Sequence, residues 1–140
     1  MTGYPSSGIV RALTDAQDKP LIWIGTSRKD LQGFPDEVKR VVGYALRVAQ
    51  QGGKHQDSKP LKGYGGAGVV EVVESYEGNA YRTVYTVIFD DALYVLHAFE
   101  KKSTKGIATS PRDLALIRQR LQEAQAVHAQ RSGSKTGGSA

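Results

Sequence analysis

No cysteine occurs in this chain of 140 residues. That absence removes disulfides, thiolate metal sites and cysteine nucleophiles together. Histidine is scarce too. His55, His97 and His128 share no metal-ligand spacing, and no His-Glu-x-x-His occurs, so neither a metal nor another cofactor is expected. No apolar run approaches the length of a membrane span, and no membrane partner is expected. The start, Met1-Thr2-Gly3-Tyr4-Pro5, lacks the basic-then-apolar pattern of a signal peptide, which leaves a cytoplasmic location as the expectation. There is no internal repeat and no Walker-type Gly-Lys-Ser/Thr ending. Gly63-Tyr64-Gly65-Gly66-Ala67-Gly68 formally contains the dinucleotide fingerprint, but a strand follows it where that fingerprint needs a helix. These glycines read as a connecting loop. Acidic residues are in deficit, 14 against 19 Lys and Arg, and the net charge of +5 favours anionic partners.

What is present describes one domain with loose ends. Residues 1–19 mix Gly, Pro, Ser and Asp with little periodicity and read as a flexible arm. Residues 20–130 form the folded domain, and 131–140 read as a flexible Gly- and Ser-rich tail. Leu21-Ile22-Trp23-Ile24 is a short first strand. Pro35-Asp36 opens a helix whose apolar positions Val38, Val41, Val42, Ala45, Leu46 and Ala49 recur at three- and four-residue spacing, and Gly52-Gly53 ends it. Val69 to Val73 is a second strand, followed by a turn around Glu77-Gly78-Asn79. Tyr81 to Phe89 and Tyr94 to Glu100 read as a hairpin joined through Asp90-Asp91. After Pro111, residues Leu114, Ile117, Leu121 and Ala124 line one face of a last helix. The economical packing is α+β: a meandering antiparallel sheet with helices packed on one face, the other left partly open as a groove.

The chemistry gathers on the hairpin. With a two-residue turn at Asp90-Asp91, Val84 lies opposite His97 and Phe99 opposite Arg82. Arg82 and His97 then share a face as diagonal neighbours, and a one-residue register slip would separate them. Glu71 on the adjacent strand is the natural ion-pair partner, and it reads equally as a salt bridge holding Arg82 or as a catalytic carboxylate. Lys101 and Lys102 stand where the last strand leaves the sheet. Lys105, Arg112, Arg118 and Arg120 extend this basic stretch. An arginine, a histidine and a lysine pair on one small sheet suit gripping a phosphodiester and moving protons around it. His97 is also readable as a hydrogen-bonded core residue.

At Lys59-Pro60-Leu61-Lys62-Gly63, Val70-Glu71-Val72, Tyr81-Arg82-Thr83-Val84-Tyr85, Leu96-His97-Ala98-Phe99-Glu100-Lys101-Lys102-Ser103 and Pro111-Arg112-Asp113-Leu114 the chain resembles HigB-type toxins of the RelE/ParE toxin–antitoxin superfamily. The resemblance covers Leu21 to Ala126. It implies a RelE-like α+β domain that cleaves mRNA on the translating ribosome without metal, inhibits translation, and is silenced by a HigA-like helix-turn-helix antitoxin. Carried over, Arg82 contacts the scissile phosphate, Lys101 and Lys102 form the basic end of the last strand, and Lys59 is the basic residue before the glycine loop. Lys62 and Lys105 join them as RNA-binding candidates. One departure stands out: Val73 occupies the place where such toxins commonly carry an arginine. The expected reaction is attack of a ribose 2′-hydroxyl on its own 3′-phosphate, with His97 as acid or base and Arg82 and Lys102 meeting the developing charge. Tyr85 and Tyr94 are candidates to orient or stack on a base. The alternatives are a ParE-like toxin of the same fold directed at DNA gyrase, and a non-catalytic RNA- or ribosome-binding module.

Overall fold

Between Val69 and Lys101, β-branched and aromatic residues dominate, and in the computed structural model they form three long antiparallel strands. The structure describes residues 18–64, 68–101 and 109–139, with side chains through Arg131. Residues 1–17 of the expected arm, loop residues 65–67, Lys102, Lys105 and the side chains of the expected tail from 132 onward lie outside the described residues. In chain order the elements are β1 (Leu21–Trp23), α1 (Ser27–Gln32), α2 (Asp36–Gln50), β2 (Ser58–Pro60), β3 (Val69–Tyr76), β4 (Asn79–Thr86), β5 (Leu93–Lys101) and α3 (Pro111–Ser139). The five strands form one sheet in the order β1-β5-β4-β3-β2.

Local chemistry accounts for the main boundaries. Pro35 precedes α2 with φ −56°, and Asp36 and Glu37 place negative charge in its first turn, where the helix dipole favours it. Gly52, at φ +86°, accepts the left-handed conformation that turns the chain out of α2. The β3–β4 hairpin closes on Glu77 and Gly78, both at positive φ, so Tyr76 pairs with Asn79 across a two-residue turn. Two successive positive-φ residues give that turn the twist its strands need.

The α+β class is as expected, and the antiparallel meander is present as β2-β3-β4-β5. Two corrections follow. β1 joins β5 in parallel, with Leu21 opposite Leu93, so the sheet is mixed. The helices also occupy both faces, not one. α2 buries Val38, Val42, Ala45 and Leu46 against Val72, Tyr85, Leu93 and Val95. α3 buries Ile117 and Ala124 against Val69, Val84, Tyr94 and Leu96 on the opposite face. Leu93-Tyr94-Val95-Leu96 is apolar at both parities, as a strand buried on both sides must be. The expected open groove is therefore reduced to the part of the second face that α3 leaves uncovered. Among the described residues, no helix is long and apolar enough to cross a membrane.

Candidate functional site

Arg82 on β4 and Glu71 on β3 are charged residues of that second face, on the strands that also carry Val84 and Val69. The register sets Glu71 opposite Val84 and Val73 opposite Arg82, so the two charged residues are diagonal neighbours on one face. Arg82 Nη1 donates to Glu71 Oε1 at 2.5 Å, and both residues are almost fully buried. Each neutralises the other; either alone in this position would carry a heavy desolvation cost. They line a cleft of about 590 Å³ together with Lys59, Lys62, Thr109 and Leu114. Lys59 lies opposite Glu71 in the β2–β3 ladder and so projects from the same face. Both cleft lysines are exposed.

His97 reaches this face through a bulge. Arg82 pairs with Phe99 and Val84 with His97, as the sequence predicts, but the next pair is Tyr85 with Val95. Leu96 is the extra residue. The connection also differs from the two-residue turn: β4 ends at Thr86 and β5 begins only at Leu93. The register at the site survives because the bulge absorbs the difference beyond it.

Both ring nitrogens of His97 are engaged. Nε2 lies 2.9 Å from Asp113 Oδ1, and Arg120 Nη1 lies 3.4 Å from Nδ1. The guanidinium can only donate, so Nδ1 accepts and Nε2–H donates to the carboxylate. Burial is the main cause that holds the His97 pKa below its ordinary value; the Arg120 charge adds to it, and Asp113 opposes it. The ring is thus a neutral strut between β5 and the start of α3, with no nitrogen left to exchange a proton with a cleft ligand. This geometry favours the core-residue alternative for His97 over the acid–base one.

The partners of His97, Asp113 and Arg120, do not stand out in the sequence as site residues. Asp113 is tied to the residue that caps α3: Ser110 Oγ donates to Asp113 Oδ2 at 2.7 Å and accepts from the Asp113 N–H at 3.1 Å. The signal was Ser-x-x-Asp immediately before an apolar-periodic run. Burial pushes the Asp113 carboxyl up, but hydrogen bonds from His97 and Ser110 and the charge of Lys101 outweigh it and leave the carboxyl below its ordinary range. Arg120 is buried, donating to Leu96 O at 2.9 Å and to Thr26 Oγ1 at 3.2 Å. Its signal was position: three residues after Ile117 and four before Ala124, inside the apolar stripe of α3. Gly25, at φ +58°, makes room for it, since a Cβ there would stand 2.8 Å from Arg120 Nε.

Lys101 ends β5 opposite Ala80 and shares the face of Arg82 and His97. The two tyrosines do not belong to the cleft. Tyr94 is fully buried under α3, its hydroxyl 3.2 Å from His128 Nδ1. Tyr85 is buried against α2 on the other face, where burial pushes its phenol pKa up. Alternation along β4 puts Tyr85 and Arg82 on opposite sides. Neither ring offers a face to a base. Among the described residues, no group of three His, Asp or Glu side chains is placed to hold a metal ion.

Comparison with protein families matches residues 29–122 to the family described as "Phage derived protein Gp49-like (DUF891)". No curated protein and no solved structure matches the chain.

Proposed function

The chain belongs to the Gp49-like (DUF891) family, a RelE/HigB-like family of toxin–antitoxin toxins, and from that premise we propose that it is a ribosome-dependent mRNA endoribonuclease whose cleft holds the scissile phosphate on Arg82. Membership implies an antitoxin partner; the specific reading is a HigA-like helix-turn-helix antitoxin, with the ribosome and mRNA as targets in the cytoplasm. The observation that carries the reading is the buried Arg82–Glu71 pair on the floor of a lysine-rimmed cleft. Glu71 occupies the guanidinium where a phosphate oxygen would sit, and a guanidinium fork fits both anions.

In this scheme no metal takes part. A ribose 2′-hydroxyl attacks its own 3′-phosphate while its proton passes to Glu71, the carboxylate lining the cleft. The 2′-oxygen to phosphorus bond forms, the bond to the 5′-oxygen breaks, and the departing oxygen takes its proton from a cleft lysine. Arg82 meets the charge on the phosphorane oxygens. Lys59, Lys62 and Lys101 position the flanking phosphates, and Lys102 and Lys105 extend that set. His97 acts as a positioning residue through Asp113. Val73, directly across from Arg82, contributes no charge, so the arrangement relies on the ribosome to align the substrate.

The test must avoid stranding a buried charge. Arg82→Ala alone would leave Glu71 unpaired at a cost of about 3–5 kcal/mol. The double variant Glu71→Gln/Arg82→Gln replaces the ion pair by neutral groups. It is expected to melt near the wild type and to lose cleavage in primer-extension maps of transcripts after brief induction. A folded double variant that still cuts transcripts and arrests growth overturns the reading. Growth arrest with DNA damage and uncut transcripts would replace it by the gyrase-directed alternative.

A further inference from the structure

Phe99 is the direct cross-strand partner of Arg82. Side chains so paired stand about 4.5–5.5 Å apart at Cβ. Its ring stacks on His97, with centroids 4.4 Å apart and planes within 20°. His97 is itself pinned from both sides, by Asp113 at 2.9 Å and by Arg120 at 3.4 Å. Phe99 is only partly buried, against the core cluster under α3. Along β5, alternation places His97, Phe99 and Lys101 on the face that carries Arg82.

We propose that Phe99 is a base-stacking platform, receiving the nucleobase adjacent to the phosphate held by Arg82 in single-stranded RNA. The inference rests on the nuclease reading and names a subsite within it. The chemistry runs from the ring outward. An aromatic fixed against a clamped imidazole loses little freedom when a base settles on its remaining exposed surface. Cations flank it in the sheet, Arg82 across the ladder and Lys101 two residues along the strand. An aromatic surface between two cations has the complementarity of a nucleotide unit, with the base on the ring and a phosphate to either side. The fully buried Tyr85 and Tyr94 cannot supply it. Phe99 carries no hydrogen-bonding group, so the subsite accepts any base and prefers those that stack most strongly.

The experiment measures binding of the full chain to a short labelled single-stranded RNA and to a matched series bearing one abasic position. Phe99→Leu keeps most of the apolar volume packed against α3 but removes the π-face; Phe99→Trp keeps it. Base–aromatic stacking predicts roughly a tenfold weaker complex for Phe99→Leu and near wild-type affinity for Phe99→Trp. At one abasic position, wild type and Phe99→Leu should bind alike, because no base is there to stack. A Phe99→Leu protein that binds the intact RNA as well as wild type overturns the platform. So does one that weakens intact and every abasic RNA by the same factor, since that marks packing alone. Failure of the wild type to bind the RNA even when it is presented on a ribosome overturns the nuclease reading and the platform with it.

Discussion

At the scale of single residues, the site separates groups that face the cleft from groups that hold the cleft in shape. Arg82, Glu71, Lys59 and Lys62 line it, whereas His97, Asp113 and Arg120 brace the sheet against the start of α3. That division gives His97 a signature in stability. Its pKa in the fold lies below its ordinary value of 6.5, chiefly through burial. The unfolded chain therefore takes up a proton at a pH where the folded one does not. His97 thus contributes stability that is present above about pH 6.5 and is lost as pH falls from there towards the folded pKa. Chemical denaturation between pH 7.5 and 5 should show the wild type losing stability relative to His97→Gln over this window, while Glu74, its carboxyl pushed up to about 7 chiefly by burial, acts the opposite way in both proteins. Phe99 should still find an amide to pack on in His97→Gln, and that variant lacks the His97 contribution. Equal slopes would mean that His97 is as easily protonated folded as unfolded.

Elements come next, and α3 carries the site more than its amphipathic pattern suggests. Its first turn brings Leu114 to the cleft, beside Thr109 from the segment before it, and Asp113 to His97. Ser110 holds that turn by accepting from the Asp113 N–H and bonding the Asp113 carboxylate. Loss of such a cap costs about 1 kcal/mol, which corresponds to roughly 4 °C in Tm for a domain of this size. Ser110→Ala should melt lower by about that amount, and Ser110→Asp should regain part of it because an N-cap aspartate accepts the same N–H. Thermal melts of the three proteins decide the point, and an unchanged melt for Ser110→Ala would remove the cap from the account. Elements with a long repeat were legible in the sequence: α2 and α3 by their three- and four-residue spacing, β3 to β5 by β-branched and aromatic content. α1 and β2 were not. Six residues with only Ser27 and Leu31 buried give no usable period, and the three residues of β2 are strand only because β3 pairs with them.

The whole molecule adds the field. A net charge of +5 attracts any polyanion, but the fold concentrates cations at one cleft, and that concentration has a measurable consequence. If Lys59 and Lys62 each meet a phosphate, the log of RNA affinity should fall with log salt less steeply in Lys59→Ala/Lys62→Ala. On a single strand the slope should shrink by about 0.7 for each phosphate that a removed lysine had neutralised. Isotherms at several salt concentrations measure it directly. Parallel lines for wild type and variant would place the RNA elsewhere on the surface.

The sequence by itself determined the α+β class, the long elements, the face shared by Arg82 and His97, and the candidacy of Glu71, Lys59 and Lys62. The class, the elements, the shared face and Glu71 follow from local periodicity, turn chemistry and residue type, which act over a few neighbours; Lys59 and Lys62 follow from the resemblance to HigB-type toxins. Tertiary structure decided what depends on residues far apart in the chain. The parallel docking of β1 against β5 and the placing of helices on both faces answer to where the whole apolar surface can be buried. The fate of His97 was set by Asp113 and Arg120, which lie 16 and 23 residues away and meet it only when α3 lands on the sheet. Tyr94 went the same way, since an aromatic on a strand is a base platform or a core residue according to what covers it, and here α3 does.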